Sequence, residues 1–193
     1  SSKVFALVDC SAFYCSCERR FHPEYTNTPI CVLSNNDGCI VARDSRVKEL
    51  GIAMGEPFFK CRDQLDKYGV KYFSSNYTLY ADMSRRMKQI LETFTPDTEN
   101  YSIDESFLIY KFADMPGSDE ELEIEALKIR KRVWDWIGIP VRVSFARTKT
   151  LAKIGSEIAK HRLKEGKEPC VSIVYRNNED ILKQIPVTDV WGV

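Results

Sequence analysis

Tyr101-Ser102-Ile103-Asp104-Glu105-Ser106-Phe107, running on into Leu108-Ile109-Tyr110, is the stretch from which the rest of this chain can be placed. Residues that favour strands surround two adjacent carboxylates, which do not. One reading is a hairpin turn, where Asp is at home and both groups stay in water. The other is a site for a hard divalent cation, which takes carboxylate oxygens. A third carboxylate in the right setting would separate the two readings, and Asp9 has that setting. Val4-Phe5-Ala6-Leu7-Val8 is a short apolar run that stops at Asp9, as a buried strand would.

Two strands delivering Asp9 and Asp104-Glu105 to one sheet edge would gather three negative charges. Such a cluster repels itself unless cations accompany it. Two Mg²⁺ ions would remove the repulsion and could clamp the attacking and leaving oxygens of a phosphoryl transfer.

Composition permits an enzyme without requiring one. A chain of 193 residues can bury a good core in one or two domains, and 44% hydrophobic with 29% charged residues is ordinary for a globular protein. Lys+Arg and Asp+Glu balance at 28 each, so no basic excess announces a nucleic-acid partner. Seven cysteines, an odd number, lack the spacing of a disulfide framework or, with only His22 and His161 in the chain, of a zinc site. They read as reduced, mostly buried small hydrophobes. No apolar run approaches the roughly 18 residues of a membrane span. A cytoplasmic protein with no membrane partner is expected.

After Asp9, the segment Cys10–Glu18 reads as the opening of a helix with Ser11 as its cap, placing Phe13 and Tyr14 one turn beyond the acid. Ordinary core aromatics are the competing reading for that pair. Pro29–Ser34 and Gly38–Ala42 read as a hairpin closed at Asp37-Gly38, followed by a short helix from Asp44 to Gly51. Leu79, Met83, Met87, Ile90, Leu91 and Phe94 recur at helical spacing, and so do Leu122, Ala126, Ile129, Val133 and Trp136. Strands are expected at Glu99–Ile103, Ser106–Lys111 and Pro140–Ala146, and a helix from about Thr148 to Arg162. On that last helix Lys149, Lys153 and Lys160 share a face, opposite Leu151, Ile154 and Ile158. A lysine there is either simply solvated or able to reach a triphosphate.

The resulting order contains β-α-β-β-α-β, the split βαβ of a ferredoxin-like unit. The expected class is α+β: a ferredoxin-like palm carrying a small α/β insertion, the fingers. Residues 1–10 and 78–176 would form the palm and 11–77 the fingers.

The chain resembles the Y-family translesion DNA polymerases, and within them the UmuC-like branch. Five motifs carry the resemblance: Val8-Asp9-Cys10-Ser11-Ala12-Phe13-Tyr14, Ser34-Asn35-Asn36-Asp37-Gly38-Cys39, Phe73-Ser74-Ser75-Asn76-Tyr77, Tyr101-Ser102-Ile103-Asp104-Glu105 and Thr148-Lys149-Thr150-Leu151-Ala152-Lys153. It implies metal-binding carboxylates at Asp9, Asp104 and Glu105, with the backbone carbonyl of Cys10 as a further ligand. It also implies a steric gate at Tyr14, under the incoming sugar, with Phe13 beside it in the nucleotide pocket. Lys160 matches a lysine that holds the triphosphate. Lys48 stands where many members have arginine, replacing a bidentate grip by a point charge. Ser45 stands where many have a tyrosine. That 177–193 is the start of a thumb cut short is implied by the same resemblance.

The implied activity is DNA-directed DNA synthesis across damaged template, using two Mg²⁺ ions, primer-template DNA and deoxynucleoside triphosphates. A UmuD-type accessory subunit and the sliding clamp are implied partners of the full-length protein. A nucleotide cyclase with a similar palm and a non-catalytic DNA-damage adaptor are the alternatives. The Phe13-Tyr14 pair argues against the first, and three intact carboxylates against the second.

Overall fold

The apolar runs become strands and the helical periodicities become helices, in a computed structural model that describes residues 2–185. In chain order the elements are β1 (Lys3–Asp9), α1 (Phe13–Phe21), β2 (Ile30–Leu33), β3 (Ile40–Arg43), α2 (Ser45–Glu49), α3 (Phe58–Lys67), β4 (Lys71–Ser74), α4 (Tyr77–Leu91), β5 (Thr98–Asn100), β6 (Glu105–Lys111), α5 (Asp119–Ile137), β7 (Arg142–Ala146), α6 (Lys149–Lys164), β8 (Cys170–Ser172) and α7 (Asn178–Lys183). The class is α+β, as expected.

Two compact units share these elements: Ser1–Cys10, Arg86–Trp136 and Pro140–Val193 in one, Ser11–Arg85 and Ile137–Ile139 in the other. The first unit holds a five-stranded sheet in the order β5-β6-β1-β7-β8. Its first four strands have the order and antiparallel pairing of a split βαβ, and α6 carries the chain across to β8, parallel to β7. One sheet face, with Leu7, Phe107 and Ala146, packs against Ala152, Ile158 and Ala159 of α6. The other face, with Val4, Ala6, Val8, Leu108, Val143 and Phe145, is equally buried. Ile181 of α7 also lies in the α6-side core.

The second unit is built on a three-stranded sheet, β3-β2-β4. The Asp37-Gly38 turn is present, with Asp37 at φ 56° and the Ser34 hydroxyl accepting from the amides of Gly38 and Cys39. Asp44 caps α2 by accepting from the amide of Val47.

Three local expectations fail. Ser11 is not the cap of α1: Ala12 occupies that position in a left-handed conformation with no side-chain cap bond, and the helix begins at Phe13. Trp136 does not continue the buried stripe of α5 but is 59% exposed, and the next residue, Ile137, is the buried one. Ile103 is not in a strand, because the amides of Tyr101 and Ser102 both donate to the carbonyl of Glu105 and close the turn early. The seven cysteines are all free thiols, and all but Cys39 are buried. Ser1 and the segment 186–193, part of the expected thumb segment 177–193, lie outside the described residues. No helix among the described residues is long and apolar enough to cross a membrane.

Candidate metal and nucleotide site

Antiparallel pairing sets Asp9, the last residue of β1, directly opposite Glu105, the first of β6. Directly opposed residues project from the same sheet face with Cβ atoms about 5 Å apart. Asp104 precedes Glu105 on the turn, and its carbonyl accepts from the amide of Cys10 at 3.1 Å. Thus the end of β1 and the β5–β6 turn are tied by backbone at the position where the acids sit. The first unit does bring Asp9, Asp104 and Glu105 to one sheet edge.

Their partners differ. Asp9 is 6% exposed and fully engaged. Arg142, its register partner on β7, donates from Nε to Oδ1 at 3.3 Å and from Nη2 to Oδ2 at 2.5 Å, and the Ser156 hydroxyl donates to Oδ1 at 3.0 Å. Asp104 and Glu105 share one hydroxyl: Ser102 Oγ lies 2.8 Å from Asp104 Oδ1 and 3.2 Å from Glu105 Oε2. A hydroxyl has one proton to give, so both carboxylates are under-served. Burial, then the charges of Asp104 and Asp9, push the Glu105 carboxyl above the usual carboxylate range, against the opposing pull of the Ser102 bond and of Lys153. Lys88 Nζ donates to the Ser102 carbonyl at 2.8 Å, and burial lowers its pKa while the charge of Asp104 works the other way.

A donor set of carboxylate oxygens crowded enough to push one of its members, Glu105, up in pKa is the chemistry a hard divalent cation satisfies. Among the described residues, however, no three His, Cys, Asp or Glu side chains are gathered into a ready-made cage. Asp9 is turned to Arg142. The oxygens fit a cation, and its arrival requires the side chains to re-aim.

The lysine face of α6 is differentiated. Lys149 pairs with Glu99. Lys153 donates to the Tyr101 hydroxyl at 2.7 Å and lies 4.3 Å from that ring's centroid. Lys160 is half-buried. Lys149 and Lys153 thus bind the β5–β6 region of their own unit.

Phe13, Tyr14 and Lys48 belong to the second unit. Phe13 is 3% exposed, whereas Tyr14 is half-buried. The Tyr14 ring stacks on Tyr80 at 4.4 Å and 15°, and Tyr77 meets both edge-on. Tyr80 is fully buried and donates to Glu18 Oε1 at 2.8 Å. Lys48 is exposed on α2. Sequence reading missed Arg142, Ser156, Ser102, Lys88 and Tyr80. An arginine inside a strand pattern is the one signal that could have drawn attention, and its partner lies 133 residues away.

Residues 8–157 match the family described as impB/mucB/samB. The chain is 43% identical over 196 residues to "Protein UmuC" of Salmonella typhimurium, and 29% identical over 198 residues to "DNA polymerase IV" of Treponema denticola. These alignments cover 98% and 100% of this chain but 44% and 47% of the relatives, so the chain spans about half their length. Its fold is similar to that of the DinB crystal structure from Sulfolobus solfataricus, with a TM-score of 0.77 at 23% identity, covering 95% of this chain and 53% of the other.

Proposed function

The chain belongs to the impB/mucB/samB family, and from that premise we propose that it carries the catalytic centre of a translesion DNA-directed DNA polymerase. The observation that carries the reading is the cross-strand pairing of Asp9 with Glu105, with Asp104 on the adjoining turn. Under this reading residues 1–10 and 78–176 are the palm, 11–77 the fingers, and 177–193 the beginning of a thumb.

Asp9, Asp104, Glu105 and the Cys10 carbonyl would hold two Mg²⁺ ions. Such ions, when bound, lower the pKa of a primer 3′-hydroxyl and neutralise charge on leaving pyrophosphate. The protein's own part is electrostatic and positional. Asp9 and Glu105 are fixed by opposed strand ends rather than by a loop, which limits their drift. Ser102 orients the two turn carboxylates with a single proton. Lys160 and Lys48 would hold phosphate oxygens as point charges. Tyr14, kept flat by the Tyr80 stack, would stand beneath the sugar and exclude a 2′-hydroxyl, with Phe13 packing the gate from within its unit. Primer-template DNA and deoxynucleoside triphosphates are the substrates of this reading, the cytoplasm its place, and a UmuD-type subunit and sliding clamp its partners in the full-length protein.

Primer extension by the full-length protein, with and without Mg²⁺, tests the proposal. Templated extension only in its presence is expected. Extension that is equal in EDTA, or absent under all metal conditions and with candidate accessory subunits added, would reject it.

A further inference from the structure

Asp9 has more partners than a carboxylate held ready for metal needs. Both its oxygens are occupied, two of the three donors come from one guanidinium, and the paired side chains are 9% and 14% exposed. Because β1 pairs with β6 on one side and β7 on the other, Glu105, Asp9 and Arg142 form a single cross-strand row. The guanidinium therefore flanks Asp9 on the side away from Glu105. A second cation, Lys88, reaches the turn through the Ser102 carbonyl and senses the charge of Asp104. Three carboxylates thus face the built-in cations Arg142 and Lys88, with Lys153 also acting on Glu105.

We propose that Arg142 is an internal counter-ion that holds the place of a divalent cation on Asp9, so that metal enters the acidic edge only by drawing Asp9 away from the guanidinium. This rests on the reading of that edge as the metal site. A carboxylate that is to hold a cation would have to turn an oxygen toward it, and the Nε and Nη2 contacts engage both. The positive charge beside the site also repels an incoming cation, at a distance where screening is weak because both partners are buried. The consequence is a fold that tolerates the absence of metal, at the cost of weaker intrinsic metal affinity. Arg142 is in this sense a positioning residue: it sets how firmly Asp9 is committed before metal arrives.

The test is a Mn²⁺ titration of the metal-free full-length protein, read by the electron paramagnetic resonance signal of free Mn²⁺. Arg142→Gln is expected to bind Mn²⁺ at least about tenfold more tightly than wild type. In EDTA this variant should melt lower than wild type, and Mn²⁺ should raise its melting temperature by more. Where Arg142→Gln does not fold, Arg142→Lys keeps the charge but loses the parallel grip, and a gain of about threefold is expected. Equal or weaker Mn²⁺ binding in the folded variant, with binding still abolished by Asp104→Asn, overturns the counter-ion role alone. Mn²⁺ binding that Asp104→Asn and Glu105→Gln both leave unchanged overturns the metal-site reading, and this inference with it.

Discussion

Two buried acids in the second unit make a useful contrast with the acids at the β1/β6 edge of the first. Asp44 accepts from the amides of Ile30 and Val47 and from Arg19 at 2.8 Å and Arg46 at 3.3 Å. Glu18 accepts from the Tyr80 hydroxyl, with His22 3.8 Å away. Asp44 has donors on both of its oxygens, and both acids link elements that must meet for the unit to fold. Asp104 and Glu105 share one proton between two carboxylates, beside a third. Satisfied acids hold structure together. Crowded, under-served acids store repulsion that an added cation or proton relieves further, and such groups are concentrated where chemistry is done.

The sharpest way to break this contrast is to swap the roles by mutation. Asp104→Asn should cost roughly a thousandfold or more in the polymerisation rate of the full-length protein, equivalent to about 4 kcal/mol of barrier, while its melting temperature stays within a few degrees of wild type. Single-turnover extension and a thermal melt on the same preparation measure both. A large loss of stability with the rate preserved would put Asp104 in the class of Asp44.

Asp44→Ala should do the reverse. Removing the acid leaves the amides of Ile30 and Val47 without their acceptor and strips two guanidinium groups of their carboxylate, a loss of about 3 kcal/mol. Melting should fall by roughly 6–12 °C, and extension per folded molecule at low temperature should hardly change.

Tyr14 sharpens the comparison from the other direction, since it is a residue of the second unit for which a role in the chemistry is proposed. Tyr14→Ala should raise ribonucleotide over deoxyribonucleotide insertion by at least about tenfold, measured as a ratio of kcat/KM values. A flat ratio makes Tyr14 part of the packing around Tyr80.

The mildest expectation is one in which the two regions agree. Burial pushes the thiols of Cys31, in the second unit, and Cys170, in the first, up to about 12. Near pH 8 only about one in ten thousand of either would be thiolate, so the half-exposed Cys39 should react first with an alkylating reagent. Mass-spectrometric mapping of the labelled sites decides this. Early labelling of one buried thiol and not the other would mean that the two units open unequally, and that their acids differ for reasons of dynamics.

Much of both units was legible in the sequence because it rests on local signals. An apolar run stopping at Asp9, helical stripes in α4, α5 and α6, and the Asp37-Gly38 turn each announce themselves within ten or twenty residues. The acidic edge followed once β1 and β6 were paired. What stayed hidden depends on pairings of distant residues. Arg142, for all that an arginine stands out in a strand pattern, and Ser156 have no visible partner until β7 and α6 are laid against β1. The failures at Ser11 and Ile103 are of another kind, since backbone turns displaced the element ends by one to three residues. Trp136 sat on a stripe whose last turn Ile137 completes instead.

The claim that crowding at the β1/β6 edge is functional repulsion comes down to Glu105. Its carboxyl holds a proton above the ordinary range, chiefly through burial and then through Asp104. Between the ordinary value and its raised one, the folded protein binds more protons than the unfolded chain. Stability in EDTA should therefore fall as pH rises through that interval, with the loss complete above it. The decisive measurement is Glu105→Gln in the full-length protein, melted in EDTA across that pH range and assayed for Mg²⁺-dependent primer extension. The account predicts a melting temperature at or above wild type near neutral pH, a flattened pH slope, and extension reduced by about a thousandfold. A variant that melts lower than wild type and extends primers at a near-normal rate would contradict it.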